Sequence, residues 1–384
     1  MIDSVPHPVA ISPFLALPRP RLSNDNPKLN CLCICAIFSL VDQKIEIGTR
    51  CVSARYLTEH CIMCTLYVDH QGSRLGFESN CLVLTPKEGD KQTFPCRVVK
   101  RLVIIGHVNL TPALLDHVMF EGVSTLFLGK GGGFTGMLQV NSDGQVLRRM
   151  AQYRVLDEPA RQLQIAQGIV NAKLRNQQRL LLINEGRVET SLQRHRQAIA
   201  HCHDLNSLRG HEGAAAHLYF GAVSRFLNAA PIQFHGRKSR PAPDPANALL
   251  SLGYTLLQGE VCTAMTLHGL DRFVGSLHRS DGHAPAAALD VMEPFRPLVD
   301  RLVLSLCRHE FDADDFEQGP SGCRLIANGR KRFYAAWEKL MHTPQRWHLD
   351  QVNLRRLIEM QVVSYAHHIE DRLKPLHWWR LGHG

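Results

Sequence analysis

Two carboxylates, Asp290 and Glu293, stand three residues apart in the apolar run AAALDVMEPF (286–295), just after a loop that carries His278. Charge on an apolar surface costs free energy unless something pairs with it, so these groups face either water or a cation. On a helix, residues three apart share one face. Pro294 disfavours regular helical geometry at Glu293, which predicts a kink there. A third acid, Glu212, lies in GHEGAAAHLYF among small residues that allow close packing. Three carboxylates and one imidazole make a donor set for a hard divalent cation, Mg²⁺ or Mn²⁺, rather than for a thiolate-preferring metal. Spacing alone leaves plainer readings open. Glu212 could be a first-turn glutamate favoured by the helix dipole, Asp290 and Glu293 could be solvated charges paired with Arg296, and His278 could be a loop histidine.

The chain that must position these groups has 384 residues, enough for two or three domains. It is 45% hydrophobic and 21% charged, an ordinary globular composition with material for a sizeable core. A formal charge of +9 fits a nucleic-acid or acidic partner, although it is spread over the whole chain. Twelve cysteines form no disulfide framework, which points to a reducing compartment. CIMC (61–64) and CLCIC (31–35) lack the second pair that a zinc site needs, so free thiols are expected. The apolar run CLCICAIFSLV is shorter than the ~20 residues of a membrane span, and the N-terminus lacks the basic start of a signal peptide. The expectation is a cytoplasmic protein with no membrane contact.

Residues 1–62 carry Pro, Ser and Asn punctuation and resist assignment. From Thr65 the pattern becomes short extended runs, TLYVDH, SRLGFE, CLVLTP, TFPCRVV and RLVIIGHVNL, separated by turn signals such as His70-Gln71-Gly72. VSTLFLG and FTGMLQV add two more around GKGGG (129–133), which lacks the order of a phosphate-binding loop and reads as a tight turn. After about Arg148 the period turns helical. Asp157-Glu158-Pro159 opens one helix, and Asp244 as N-cap with Pro245 at the first position opens another that closes near Gly269. The latter is apolar nearly all round and should be a buried central helix. The predicted fold is α+β and multidomain: a β-rich, β-sandwich-like domain over 63–148, then a larger all-α catalytic domain over 149–384.

Several segments together resemble one family. HEGAAAHLYFGAV, FHGRKSRPAPDPANALLSLGYTLL and LHRSDGHAPAAALDVMEPFRPLVD occur in the order found in the CRISPR-associated spacer-acquisition integrase. TLYVDHQGSRL, LVIIGHVNLTPALL and VSTLFLGKGGGFTGML resemble its β-domain, and LRRLIEMQVVSYAHHI its last helix. The resemblance runs from roughly Met63 to the C-terminus. It implies that Glu212, His278 and Glu293 hold the metal and that Asp290 is a nearby second acid, tuning the site or binding a second ion. His283 is a rival histidine whose spacing matches less well. Arg237, Lys238 and Arg240, in a basic turn before the central helix, could meet DNA phosphates or simply aid solubility.

The resemblance also implies a reaction, attack of a DNA 3′-hydroxyl on a phosphodiester of the CRISPR repeat, a transesterification that needs no ATP. It implies double-stranded and branched DNA as substrates, a homodimer formed through the β-domain, and a small ferredoxin-like CRISPR-associated partner dimer. Residues 1–62 match nothing in the family; a start at Met63 is expected, with a fused adaptor remnant as the other option. A transposon-encoded integrase of the same superfamily, a catalytically silent DNA-binding scaffold and a metal nuclease for branched DNA are the rival readings. The given sequence closes on HWWRLGHG (377–384), which favours the CRISPR version over the transposon one, since the latter tends to carry an added C-terminal DNA-binding module.

Overall fold

A computed structural model describes residues 64–138, 145–185, 190–227, 230–232, 234, 236–238, 241–279, 284–320 and 322–382. The extension over 1–62 therefore lies outside the described residues, as do CLCIC, Arg240 and His283.

The N-terminal described part holds β1 (Cys64–Val68), β2 (Arg74–Glu78), β3 (Cys81–Thr85), β4 (Gln92–Pro95), β5 (Val99–Ile105), β6 (Asn109–Leu110), α1 (Pro112–Phe120), β7 (Ser124–Leu128) and β8 (Phe134–Leu138). They form two four-stranded sheets, ordered β1-β5-β7-β8 and β4-β3-β2-β6. In the first, β1, β5 and β7 are parallel and β8 is antiparallel to β7. The run RLVII explains why. Leu102 and Ile104 point into the core between the sheets with Leu66, Leu75 and Leu84, whereas Val103 and Ile105 join the core under the helices with Tyr67 and Leu126. A strand buried on both faces reads as continuously apolar. The first sheet is thus sandwiched twice, and the expected β-sandwich is seated on the helical body. Helix α1 was not read from the sequence, although Thr111 caps it, accepting a hydrogen bond from Leu114 N, and Pro112 starts it.

The helical part contains α2 (Val146–Leu156), α3 (Pro159–Glu185), α4 (Thr190–Ala198), α5 (Leu205–Leu227), α6 (Pro245–Leu267), α7 (Ala286–Met292) and α8 (Arg296–His309). A hairpin of β9 (Phe316–Gly319) and β10 (Gly322–Leu325) follows, then α9 (Ala327–His342), a hairpin of β11 (Pro344–Trp347) and β12 (Asp350–Asn353), and α10 (Leu354–Glu370). The two hairpins are an addition to the all-helical expectation. Helix α6 is the central one. Asp244 caps it through Asn247 N, Pro245 opens it, and it is buried along most of its length. At Gly259 a methyl group would lie 2.7 Å from Leu126 Cδ2, so this glycine lets α6 lie directly on β7. Beside that contact, Arg101 of β5 pairs with Glu260 of α6, and Arg355 of α10 bridges Glu260 (2.9 Å) and Glu338 of α9 (3.1 Å). The Tyr67 hydroxyl of β1 donates to Glu338 at 2.7 Å, closing a buried ionic chain between sheet and helices.

Candidate active site

The run AAALDVMEPFRP does break where Pro294 predicts. Helix α7 ends at Met292, Glu293–Phe295 form a single 3-10 turn, and α8 starts at Arg296. Asp290 and Glu293 still share a face and meet the same imidazole from its two sides. Asp290 Oδ1 lies 2.7 Å from His278 Nδ1, and Glu293 Oε1 lies 3.8 Å from His278 Nε2. An ionised carboxylate only accepts, so Nδ1 carries the proton and Nε2 is turned toward Glu293.

Asp290 does more than orient the ring. Its carboxylate accepts the backbone N–H groups of Ser276 (2.6 Å), Leu277 (2.9 Å) and His278 (2.9 Å), so it shapes the loop that carries the histidine. Gly275 makes room for this, because an added methyl would lie 2.9 Å from Asp290 Oδ2 and 2.8 Å from the Ala286 carbonyl carbon. Arg209 of α5 holds the loop from the other side, donating to Leu277 O at 3.0 and 2.6 Å. One turn further along α5 is Glu212, half-buried, well inside a helix that begins at Leu205 and so not in its first turn.

Asp290 and Glu293 are 1% and 2% exposed, which removes the solvated-charge reading, although Arg296 does pair with Glu293 at 2.9 Å. Burial opposes the ionisation of Glu293, but Arg296, Lys173 and His278 more than offset it and hold its pKa down at about 2. Burial likewise pulls His278 toward its neutral form, yet the hydrogen bond to Asp290 and the charge of Glu293 outweigh it and raise its pKa.

The sequence reading did not single out Lys173 of α3. Its ammonium contacts Glu212 Oε1 and lies 2.8 Å from Glu293 Oε2. The second contact is close but not aligned for a hydrogen bond, so Glu293 Oε2 is a buried carboxylate oxygen without one. Asn176, one turn on, donates to Pro294 O at 2.8 Å and fixes α3 to the turn that bears Glu293. As the side chains stand, no three His, Cys, Asp or Glu groups among the described residues converge tightly enough to hold an ion. The donor set nevertheless fits a hard cation: two carboxylates, a carboxylate-oriented imidazole, and a buried oxygen lacking a hydrogen bond. The position between the carboxylates is taken by a cation already, the lysine ammonium.

The basic turn is partly committed to its own helix. Arg237 donates to Asn247 Oδ1 (3.0 Å) and Ser251 Oγ (3.3 Å) and stacks over Tyr254, while the Lys238 side chain is exposed. Arg237 and Arg296 also line a cavity of about 600 Å³ with Lys130, Arg324 and Arg330, so a cation-rich hollow adjoins the carboxylate site. Behind Arg296, buried Asp300 accepts from the hydroxyls of Tyr219 (2.6 Å) and Tyr254, and burial raises its pKa to about 6.

A β-sandwich packed on a helical body, with Glu212, His278 and Glu293 beside a basic hollow, is an arrangement whose charges suit a phosphodiester substrate. Comparison with known proteins makes the assignment particular. Residues 66–339 match the family model of CRISPR-associated protein Cas1. The chain is 33% identical over 296 residues to CRISPR-associated endonuclease Cas1 2 of Rhodospirillum rubrum, covering 72% of this chain and 85% of that protein. The chain belongs to the Cas1 family. Its fold is similar to that of a casposase bound to an integration product, with a TM-score of 0.73 at 20% identity over 82% of this chain and 92% of that one. It is similar also to a chain of a Cas6-RT-Cas1–Cas2 complex, with a TM-score of 0.71 at 21% identity, covering 82% of this chain and 36% of that one. These two likenesses concern the fold alone.

Proposed function

We propose that Glu212, His278 and Glu293 hold a divalent cation, Mg²⁺ or Mn²⁺, and that a DNA 3′-hydroxyl attacks a repeat phosphodiester beside them. As a Cas1 family member the chain is an enzyme of CRISPR adaptation, an endonuclease and integrase that inserts new spacers. The observation that carries the site is the His278 ring, held by Asp290 through Nδ1 so that Nε2 faces buried Glu293 beside Glu212. When bound, the cation supplies charge stabilisation at the phosphoryl oxygens and lowers the cost of deprotonating the attacking hydroxyl. The protein's part is positional. Asp290 and Arg209 fix the loop, Asn176 fixes the turn, and burial keeps competing water away from Glu293.

Arg237, Lys238, Arg240 and the basic hollow contact DNA phosphates, giving salt-sensitive binding. The active assembly is a homodimer joined through the β-domain and bridged by a small ferredoxin-like partner; the solved Cas6-RT-Cas1–Cas2 complex supports only the association with a Cas2 partner. The substrates are double-stranded and branched DNA, and the compartment is the cytoplasm. Among the described residues no helix is long and apolar enough to cross a membrane. The casposase likeness keeps the transposon-type integrase as the second reading, but the sequence relatives favour the CRISPR one.

The test joins a labelled duplex to repeat-bearing DNA. Covalent joining is expected with free 3′-hydroxyl ends and Mg²⁺ or Mn²⁺, and is expected to vanish with dideoxy ends or in Glu212→Ala. Joining that survives dideoxy ends would overturn the reading.

A further inference from the structure

Lys173 has no part in the chemistry above, yet it is the cation nearest to it. It is 8% exposed, on a helix fixed to the Glu293 turn through Asn176, so its backbone cannot simply draw away. Its ammonium touches Glu212 Oε1 and approaches Glu293 Oε2 to 2.8 Å. A divalent ion bridging the same two carboxylates would sit about 2 Å from each oxygen, in the space the ammonium fills. Two cations at nearly one point repel strongly, and most of all away from water. Arg296 stays on the other oxygen, Oε1, so Glu293 keeps a partner if the lysine leaves.

Building on the ligand set proposed above, we infer that Lys173 is a resident counter-cation of the metal site. It neutralises Glu212 and Glu293 and keeps them together in the metal-free protein, and the entering divalent ion displaces it. Metal affinity is then a competition between an internal and an external cation. A site open for one-tenth of the time binds about tenfold more weakly than its intrinsic affinity, so the lysine sets the metal concentration at which the enzyme loads.

The test is Mn²⁺ binding, followed by electron paramagnetic resonance of the free ion, in the full chain. Lys173→Met keeps the apolar stem and removes the charge; it is expected to bind Mn²⁺ about tenfold or more tightly than wild type. Lys173→Arg substitutes a permanently charged fork that pairs well with carboxylates and is expected to bind Mn²⁺ more weakly. Unchanged or weaker binding in a folded Lys173→Met protein would overturn the inference, since a merely structural lysine predicts that result. If Lys173→Met does not fold, wild type decides: acylation of the Lys173 amine, read by mass spectrometry, should rise on adding Mn²⁺, and unchanged labelling would overturn the displacement. His278→Ala leaves both lysine contacts intact and must lose Mn²⁺ affinity. Retained affinity there would instead overturn the ligand set, and with it the role given to Lys173.

Discussion

Asp290 takes four donors on two oxygens, and an amide could not satisfy them. Asp290→Asn places an NH₂ group against backbone N–H groups and removes the charge that holds the His278 proton on Nδ1. Carboxylates that orient a metal-binding histidine typically cost about 10–100-fold in activity or metal affinity when removed, and this variant should fall in that range. Joining rates and Mn²⁺ titration would check it. Glu293 makes a prediction about acid. Its folded pKa of about 2 lies below the ordinary 4.5, so its ionic contacts stabilise the metal-free fold above about pH 4.5. That contribution, on the order of 3 kcal/mol, should fade as pH falls toward 2. The melting temperature of wild type should drop more steeply over this window than that of Glu293→Gln; parallel curves would contradict the assignment. Glu212, His278 and Glu293 were legible because type, order and spacing carry the family resemblance. Lys173, Asn176 and Arg209 were not, because a lysine in QGIVNAKLRNQQ reads as an exposed helix face. The available signal was Lys173 and Asn176 one turn apart among buried Ala172 and Leu174.

Elements decide whether those residues meet. The α7–turn–α8 break aims Glu293 at Lys173 and His278, and the carbonyl of Pro294 is anchored by Asn176. Between sheet and helices the chain Arg101–Glu260–Arg355–Glu338–Tyr67 is largely buried, and Arg355 is the member that touches both acids: without it Glu260 keeps Arg101, but buried Glu338 loses its guanidinium. Arg355→Met should therefore lose about 3–5 kcal/mol in chemical denaturation, with the two acids left facing each other. Loss under 1 kcal/mol would show that water or another cation takes its place. Helix α6 was readable from Asp244 and Pro245 because caps are local chemistry. Helix α1 was passed over inside a run of strand-like segments, although Thr111-Pro112 carried a start signal of the same kind. The β9–β10 and β11–β12 hairpins escaped for a different reason: four-residue strands such as FEQG and GCRL show little alternation.

On the scale of the molecule, the β1-β5-β7-β8 sheet has two apolar faces, one on the second sheet and one on the helical body. The sandwich meets α6 directly at Leu126 and Gly259, where side chain and backbone pack with no room for a methyl group. Gly259→Val would force that contact apart and should destabilise the fold by about 1–3 kcal/mol. Thermal melting of the full chain would report it. The β-then-α order was plain in the sequence because the apolar period changes after Arg148, whereas the double burial of the sheet depends on packing that no local pattern encodes.

The central claim is transesterification at Glu212, His278 and Glu293, and its most direct measurement uses a branched DNA that mimics a half-integrated spacer. The reverse reaction needs no knowledge of the native array. With Mg²⁺ or Mn²⁺, wild type should release the branch and rejoin the target strand, while Glu212→Ala and Glu293→Ala should do neither. Cleavage without rejoining, or rejoining that persists in both variants, would contradict the account.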